Sequence, residues 1–105
     1  MLRIELFNEK GEKVVHEQPF ISGRRVREAL KMQDEFERNI EITQTETLDK
    51  MLEFVAGCFG EKVTTDAILD GIAAPELMDT LAKVVAQVMG NEEQGLKEVA
   101  KKAQK

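Results

Sequence analysis

The chain has 105 residues, so a single domain with one hydrophobic core is expected. Apolar residues make up 42% of it and charged residues 33%, a balance that argues against wholesale disorder and is typical of a soluble, mostly helical domain. The formal net charge of −5 disfavours non-specific attraction to nucleic acid or to an anionic membrane, because both require a positive surface.

The cysteine content and the hydropathy pattern bear on the cellular compartment. The single cysteine, Cys58, cannot form an intrachain disulfide, which suits a reducing environment. The sequence shows no N-terminal apolar signal segment and no long apolar span, so no membrane segment is expected. Together these features predict a cytoplasmic protein.

The N-terminal residues alternate between apolar and polar side chains, which predicts a β-hairpin. Leu2, Ile4 and Leu6 fall on one face of a first strand. A turn over residues 8–12 leads to a second strand that ends before Pro19. Because two strands alone are marginal in water, this hairpin must pack its apolar face on the helices that follow.

After the hairpin, helical spacing replaces alternation. Ser22 is the predicted N-cap of a first helix that ends near Arg38. Arg24, Arg25 and Arg27 crowd the start of this helix, where positive charge opposes the helix macrodipole. We therefore expect these arginines to have acidic partners, either within the chain or on another subunit.

The corner between hairpin and first helix is expected to be held by apolar packing. The side chains predicted to join the two layers are Phe20, Ile21, Val26 and Leu30. The acidic residues of the chain considered as partners for the arginines are Glu41, Glu46 and Asp49.

Three more helices are predicted after a connecting loop over residues 39–47. The second helix has the cleanest amphipathic spacing of the chain. The predicted starts and ends are Thr45 or Thr47 and Gly60 for the second helix, Thr64 or Thr65 and Gly71 for the third, and Pro75 and Gly90 for the fourth.

The sequence as a whole predicts an α+β fold, mainly α, in which an N-terminal β-hairpin is followed by about four helices. Residues 1–90 form the predicted domain, and residues 91–105 a charged C-terminal helix or flexible tail. The second and fourth helices carry apolar residues outside a single stripe, which indicates a face shared with another copy or a client. The predicted partner or oligomer contacts are Arg24, Arg25, Arg27, Met51, Phe54, Met78 and Met89.

The search for catalytic, cofactor and metal motifs is negative. No GxGxxG, GxxxxGK[ST], HExxH or CxxC pattern occurs, and the one histidine, His16, is remote in sequence from the cysteine. Carboxylates one helical turn apart near helix starts more often favour the dipole or face solvent than bind a metal. We expect no enzyme, cofactor or metal; an enzyme would need an unrecognised site around His16 or the pairs Asp66/Asp70 and Asp49/Glu53.

A family resemblance is carried by the segments MLRIELF, KVVHEQPF, FISGRRVREAL, TLDKMLEFVAGCFG and VTTDAILDGI, followed by a final helix. These segments, over roughly residues 1–90, resemble the tail assembly chaperones of long, non-contractile-tailed bacteriophages and related prophages. The resemblance implies a small non-enzymatic protein that coats the tape measure protein and keeps it soluble while tail tube subunits polymerise around it. In that family a programmed ribosomal frameshift often makes a longer form that recruits the tail tube protein.

Two functions stay open from the sequence. The first is a self-associating chaperone, a homo-oligomer that covers a helical tape measure client in the host cell cytoplasm. The alternative is a small acidic regulatory or nucleic-acid adaptor that uses Arg24, Arg25 and Arg27. Because this cluster lacks neighbouring aromatic side chains for base stacking, pairing of the arginines with carboxylates is favoured over nucleic acid.

Overall fold

The computed structural model describes residues 2–90, apart from the side chain of Glu61. The expected C-terminal helix or tail, residues 91–105, lies outside the described residues. The elements, in chain order, are β1 (Leu2–Phe7), β2 (Lys13–Gln18), α1 (Gly23–Arg38), α2 (Gln44–Cys58), α3 (Thr65–Gly71) and α4 (Leu77–Val88). Short 3₁₀ turns at Gly60–Lys62 and Ala74–Glu76 precede α3 and α4. The predicted α+β fold, a hairpin followed by helices, is confirmed.

The turn between β1 and β2 is specified by Asn8 and Gly11. The Asn8 backbone N–H donates to the Glu12 carbonyl at 2.9 Å, and the Gly11 N–H donates to the Asn8 carbonyl at the same distance. The Asn8 side-chain oxygen accepts from the backbone N–H groups of Lys10 and Glu12. Gly11 has φ 78°, which residues with a Cβ rarely adopt. This turn sets the antiparallel register from Leu2 opposite Gln18 to Phe7 opposite Lys13.

The inner face of β1 packs on the helices, as the alternation predicts. Leu2, Ile4 and Leu6 are buried, and β1 contacts both α3 and α4. At Gly71, the last residue of α3, a Cβ would lie 2.9 Å from the Leu6 Cβ and 3.0 Å from the Phe7 carbonyl oxygen. Glycine therefore lets α3 end directly against β1.

The hydrophobic core is centred on α2, which contacts α1, α3 and α4. Burial on more than one side of α2 explains its wide apolar sector. The core residues are Leu2, Ile4 and Leu6 from β1, Leu52, Val55, Ala56, Cys58 and Phe59 from α2 and its C-cap, Val63, Ile68 from α3, and Leu81, Val84 and Val88 from α4.

The start of α2 differs from the prediction. Its N-cap is Thr43, so the loop before it is shorter than expected and Thr45 and Thr47 both lie inside the helix. The Thr43 side chain accepts from the Glu46 backbone N–H at 3.1 Å, and the Glu46 carboxylate accepts from the Thr43 N–H at 3.3 Å. This reciprocal capping box satisfies backbone donors that a later start would leave open.

The other predicted helix ends are confirmed in part. Thr64 caps α3, because its side chain accepts from the Ala67 backbone N–H at 3.1 Å. Ser22 occupies the N-cap position of α1, but its side chain makes no capping hydrogen bond. The sequence predicts Pro75 in the first turn of α4, but Pro75 lies in the 3₁₀ turn before that helix.

Of the four side chains predicted to pack at the corner between the hairpin and α1, two do so. Ile21 and Val26 pack on the core. Phe20 is 75% exposed and Leu30 is 46% exposed, so these two do not join the layers. The buried residues of α1 are Ala29 and Met32, and Leu30 lies about 100° around the helix from Ala29.

Candidate partner-binding surfaces

The three arginines at the start of α1 have different environments. Arg24 and Arg27 are exposed, whereas Arg25 is half-buried. The Arg25 Nη1 donates to the Glu28 carboxylate at 2.8 Å. A Cβ on Gly57 would lie 3.3 Å from the same Nη1, so the Arg25 side chain lies against α2. Arg25 therefore connects α1 to α2 inside one molecule.

The predicted internal partners of the arginines are not the ones that the structure shows. Arg25 pairs with Glu28, one turn further along α1, a spacing that brings side chains together on a helix surface. Glu46 is used by the capping box of α2. Among the described side chains of residues 2–90, which do not include Glu61, Arg24 and Arg27 form no salt bridge. A carboxylate of another subunit stays a prediction for these two.

Cys58 lies close to Arg25 on the buried side of α2. Burial raises the pKa of the Cys58 thiol to about 11, although the positive charge of Arg25 acts in the opposite direction. At neutral pH this thiol is therefore protonated, which makes it a poor nucleophile.

A shallow groove runs between α1 and α2. Met32 and Phe54 contribute its apolar part. The Lys50 Nζ lies 2.8 Å from the Glu35 carboxylate and joins the two helices across it. This hydrogen bond and the charge of Glu35 raise the pKa of Lys50. The remaining lining side chains are all charged: Arg25, Glu28, Lys31 and Glu53.

The four apolar side chains predicted as contacts do not form one surface. Met51 and Phe54 are half-buried and pack against the core from α2. Met89 is half-buried at the C-cap of α4. Met78, in the first turn of α4, is 52% exposed and is the most accessible of the four.

Several exposed apolar side chains were not singled out from the sequence. Ile40, in the loop after α1, is 92% exposed, and Phe7 and Val15 are exposed on the hairpin. The Lys13 ammonium lies 5.7 Å from the centre of the Phe7 ring. Exposure of Phe7 could have been predicted from the sequence, because the alternation places it on the face of β1 that is opposite to the buried side chains.

The structure also bears on metal binding and on membrane insertion. Among the described side chains between Leu2 and Gly90, Glu61 excepted, no group of three or more His, Cys, Asp or Glu is placed to hold a metal ion. Over the same residues, no helix is both long enough and apolar enough to cross a membrane. Exposed apolar side chains that are scattered singly over several elements are ordinary on a packed domain, so they do not by themselves mark a binding surface.

Comparison with known proteins identifies the family. A family model described as phage tail chaperone protein matches residues 1–105. The chain therefore belongs to the phage tail chaperone family, and the resemblance seen in its hairpin and helices is confirmed. Comparison with curated proteins gives no match, and neither does comparison with solved structures.

Proposed function

We propose that this chain is a non-enzymatic tail assembly chaperone that binds the tape measure protein in the host cell cytoplasm. It keeps that protein soluble and assists the polymerisation of tail tube protein around it. The family match over the whole length of the chain supports this proposal most strongly. A long, helical, aggregation-prone tail component is the kind of client that needs a chaperone during assembly.

The surface of α4 offers one contact suited to such a client. Met78 is exposed, unbranched and polarisable, so it can adapt to different apolar partners along a long helix. Exposed side chains of this type allow reversible binding without a deep pocket. Met78 is thus the best single position at which to disturb client binding.

The groove between α1 and α2 offers a second contact. A helix can dock with an apolar side chain against Phe54, which is half-buried, and with its polar side chains beside the charged rim. The rim carries both signs of charge, so it does not demand a strongly acidic or strongly basic client. This suits a client that is covered at many places along its length.

Co-expression tests the proposal. We expect this chain to increase the soluble fraction of the tape measure protein of the same phage, and Met78→Glu to reduce that effect. Gln87→Glu is the matched control, because it adds the same charge at another exposed position of α4. The proposal fails if the tape measure protein is equally soluble with and without this chain.

Recruitment of the tail tube protein belongs to the same proposal. It requires a longer product made by ribosomal frameshifting, with an added domain that binds the tube protein. Mass spectrometry of the products of the intact gene in phage-producing cells tests for this form. Detection of the short form alone would remove the proposed route to the tube protein.

The nucleic-acid adaptor has less support. Arg25, one of the three basic residues on which it depends, is paired with Glu28 and lies against α2. Only Arg24 and Arg27 remain exposed at this helix start. Salt-dependent DNA binding that is lost in an Arg24→Ala/Arg27→Ala variant would restore this alternative.

A further inference from the structure

β2 has a strand edge that faces away from β1. The Asn8 N–H donates to the Glu12 carbonyl at the turn, and bonded and non-bonded pairs alternate along an antiparallel ladder. Val14 and His16 therefore bond to β1, whereas the backbone groups of Lys13, Val15 and Glu17 point away from it. An edge of this kind is a template for pairing with another strand.

Two contacts agree with this assignment of the backbone groups. The Lys62 Nζ donates to the Glu17 carbonyl at 3.4 Å, so that carbonyl is on the outer edge of β2. On the opposite edge of the sheet, Gly71 lies against the backbone N and O atoms of Phe7. The end of α3 thus covers the edge of β1 at Phe7, while β2 keeps exposed side chains at Lys13, Val15 and Glu17.

The order of charges along the β2 edge complements that of a second copy of β2 running in the opposite direction. Lys13 and Glu17 lie on the same face of the strand, with Val15 midway between them. We propose that two copies of this chain pair antiparallel through β2, with a two-fold axis at Val15, to form one continuous four-stranded sheet. Lys13 of each copy then faces Glu17 of the other, and the two Val15 side chains meet at the axis.

This register is the only one that satisfies both the backbone and the charges. A shift by one residue would place the outward backbone groups of one copy opposite residues that already bond to β1. A shift by two residues would place Lys13 opposite Pro19, which has no N–H, or Glu17 opposite Gly11.

The outer face of the combined sheet favours the same arrangement. Arg3 lies opposite Glu17 within one hairpin. Pairing would place Lys13 of the second copy on the other side of Glu17, so that positive, negative and positive side chains alternate across the sheet. Val15, which is 42% exposed in the single chain, would gain an apolar neighbour at the axis.

The hydrogen bond from Lys62 to β2 must break when two copies pair. Its ammonium group is at the end of a flexible exposed side chain, and its bond to the Glu17 carbonyl is long at 3.4 Å. In the paired sheet, the backbone N–H of Lys13 from the second copy donates to that carbonyl instead. This surface is separate from α1 and α4, so the inference goes beyond the proposed function and does not depend on it.

Charge reversal tests the pairing directly. Sedimentation of the full chain over a wide concentration range should show a monomer–dimer equilibrium. Lys13→Glu or Glu17→Lys alone should raise the dissociation constant by tenfold or so, because each creates like-charge pairs on both sides of the axis. An equimolar mixture of the two variants should form a heterodimer, since every cross-axis pair is then of opposite charge.

The double variant separates pairing from damage to the hairpin. Within one molecule, Lys13→Glu loses the contact of Lys13 with Glu5 at 3.8 Å, and Glu17→Lys places a lysine opposite Arg3. Combining the two changes adds these internal losses together, yet it restores the opposite charges across the axis. We expect the double variant to dimerise like the unchanged chain.

A cysteine at the axis gives an independent readout. Val15→Cys should form an intermolecular disulfide under mild oxidation, because the two positions face each other. Val14→Cys is the matched control. Residue 14 of one copy lies across from His16 of the other, so the two introduced cysteines are too far apart to form a disulfide. The native Cys58 is buried and does not compete.

Three results would overturn the proposal. The first is a chain that stays monomeric at all concentrations. The second is a double charge swap that dimerises no better than either single variant. The third is equal crosslinking of Val15→Cys and Val14→Cys.

Discussion

At Gly71 the end of α3 lies directly against the hairpin. Adding a Cβ there would bring it to 2.9 Å from the Leu6 Cβ and 3.0 Å from the Phe7 carbonyl, neither of which is the end of a flexible side chain. We predict that Gly71→Ala lowers the free energy of unfolding by about 1–3 kcal/mol, measured by urea denaturation.

Gly57→Ala is the control for that prediction. Its new Cβ would meet only the Arg25 guanidinium, with Nη1 at 3.3 Å and Cζ at 3.9 Å, which is the far end of a long side chain. Alanine is favoured over glycine inside a helix by about 1 kcal/mol, so this change should leave stability unchanged or raise it. Equal losses in the two variants would contradict the close approach of α3 and β1.

Cys58 gives a prediction for alkaline pH. Its pKa is raised from 9.0 to about 11, chiefly by burial, so the folded state holds the proton more tightly than the unfolded state. Its contribution to stability is complete below about pH 9 and is lost as the pH rises towards 11. The unfolding free energy should therefore fall more steeply over this window in the unchanged chain than in Cys58→Ala. Rapid alkylation of the native thiol at pH 8 would contradict the burial.

At this scale, the sequence predicts which residues are buried better than it predicts their polar partners. The alternation in β1 identifies Leu2, Ile4 and Leu6 correctly. The position of Arg25 could not be found in the same way, because it depends on a glycine in a different helix. Contacts of that kind arise from tertiary packing, which has no local signal.

At the scale of whole elements, the N-cap of α2 is the clearest lesson. Thr43 and Glu46 form a capping box whose pattern is present in the sequence, so the early start of α2 was available to local reasoning. The apolar stripe of α2 predicts where the buried part of the helix lies, but its exposed first turn adds nothing to that stripe. Capping chemistry, and not hydrophobic spacing, decides where such a helix begins.

Paired threonine variants test this assignment. Thr43→Ala should lower the unfolding free energy by about 1 kcal/mol, because it removes the acceptor for the Glu46 backbone N–H. Thr45→Ala, at an exposed position inside the helix, should change it very little. Thermal or urea unfolding of the two proteins decides between the caps, and a larger loss at Thr45 would contradict the observed start of α2.

The corner between hairpin and α1 shows the limit of periodicity. Leu30 shares a loose stripe with Val26 and Ala29 in sequence, yet it is exposed because α1 buries little of its own surface. The direction that a helix turns towards its neighbours depends on how those neighbours pack. Spacing alone therefore predicted α1 but not which of its apolar residues would be covered.

At the scale of the whole molecule, self-association could involve two distinct surfaces. Pairing through β2 would be symmetric and would close after two copies, whereas contacts through α1 could link such pairs further. If Arg24 and Arg27 meet carboxylates of another subunit, Arg24→Glu/Arg27→Glu should reduce the assembly beyond the dimer at low salt. Unchanged assembly, measured by light scattering, would exclude these arginines from any interface between copies of this chain.

In the proposed function, this chain binds the tape measure protein and keeps it in solution. The most direct measurement is the mass, by light scattering, of the complex purified through a tag on the co-expressed tape measure protein. We expect a soluble particle that contains one tape measure molecule and many copies of this chain, because the client is long and each copy is small. A tape measure protein that purifies in solution without this chain attached would contradict it.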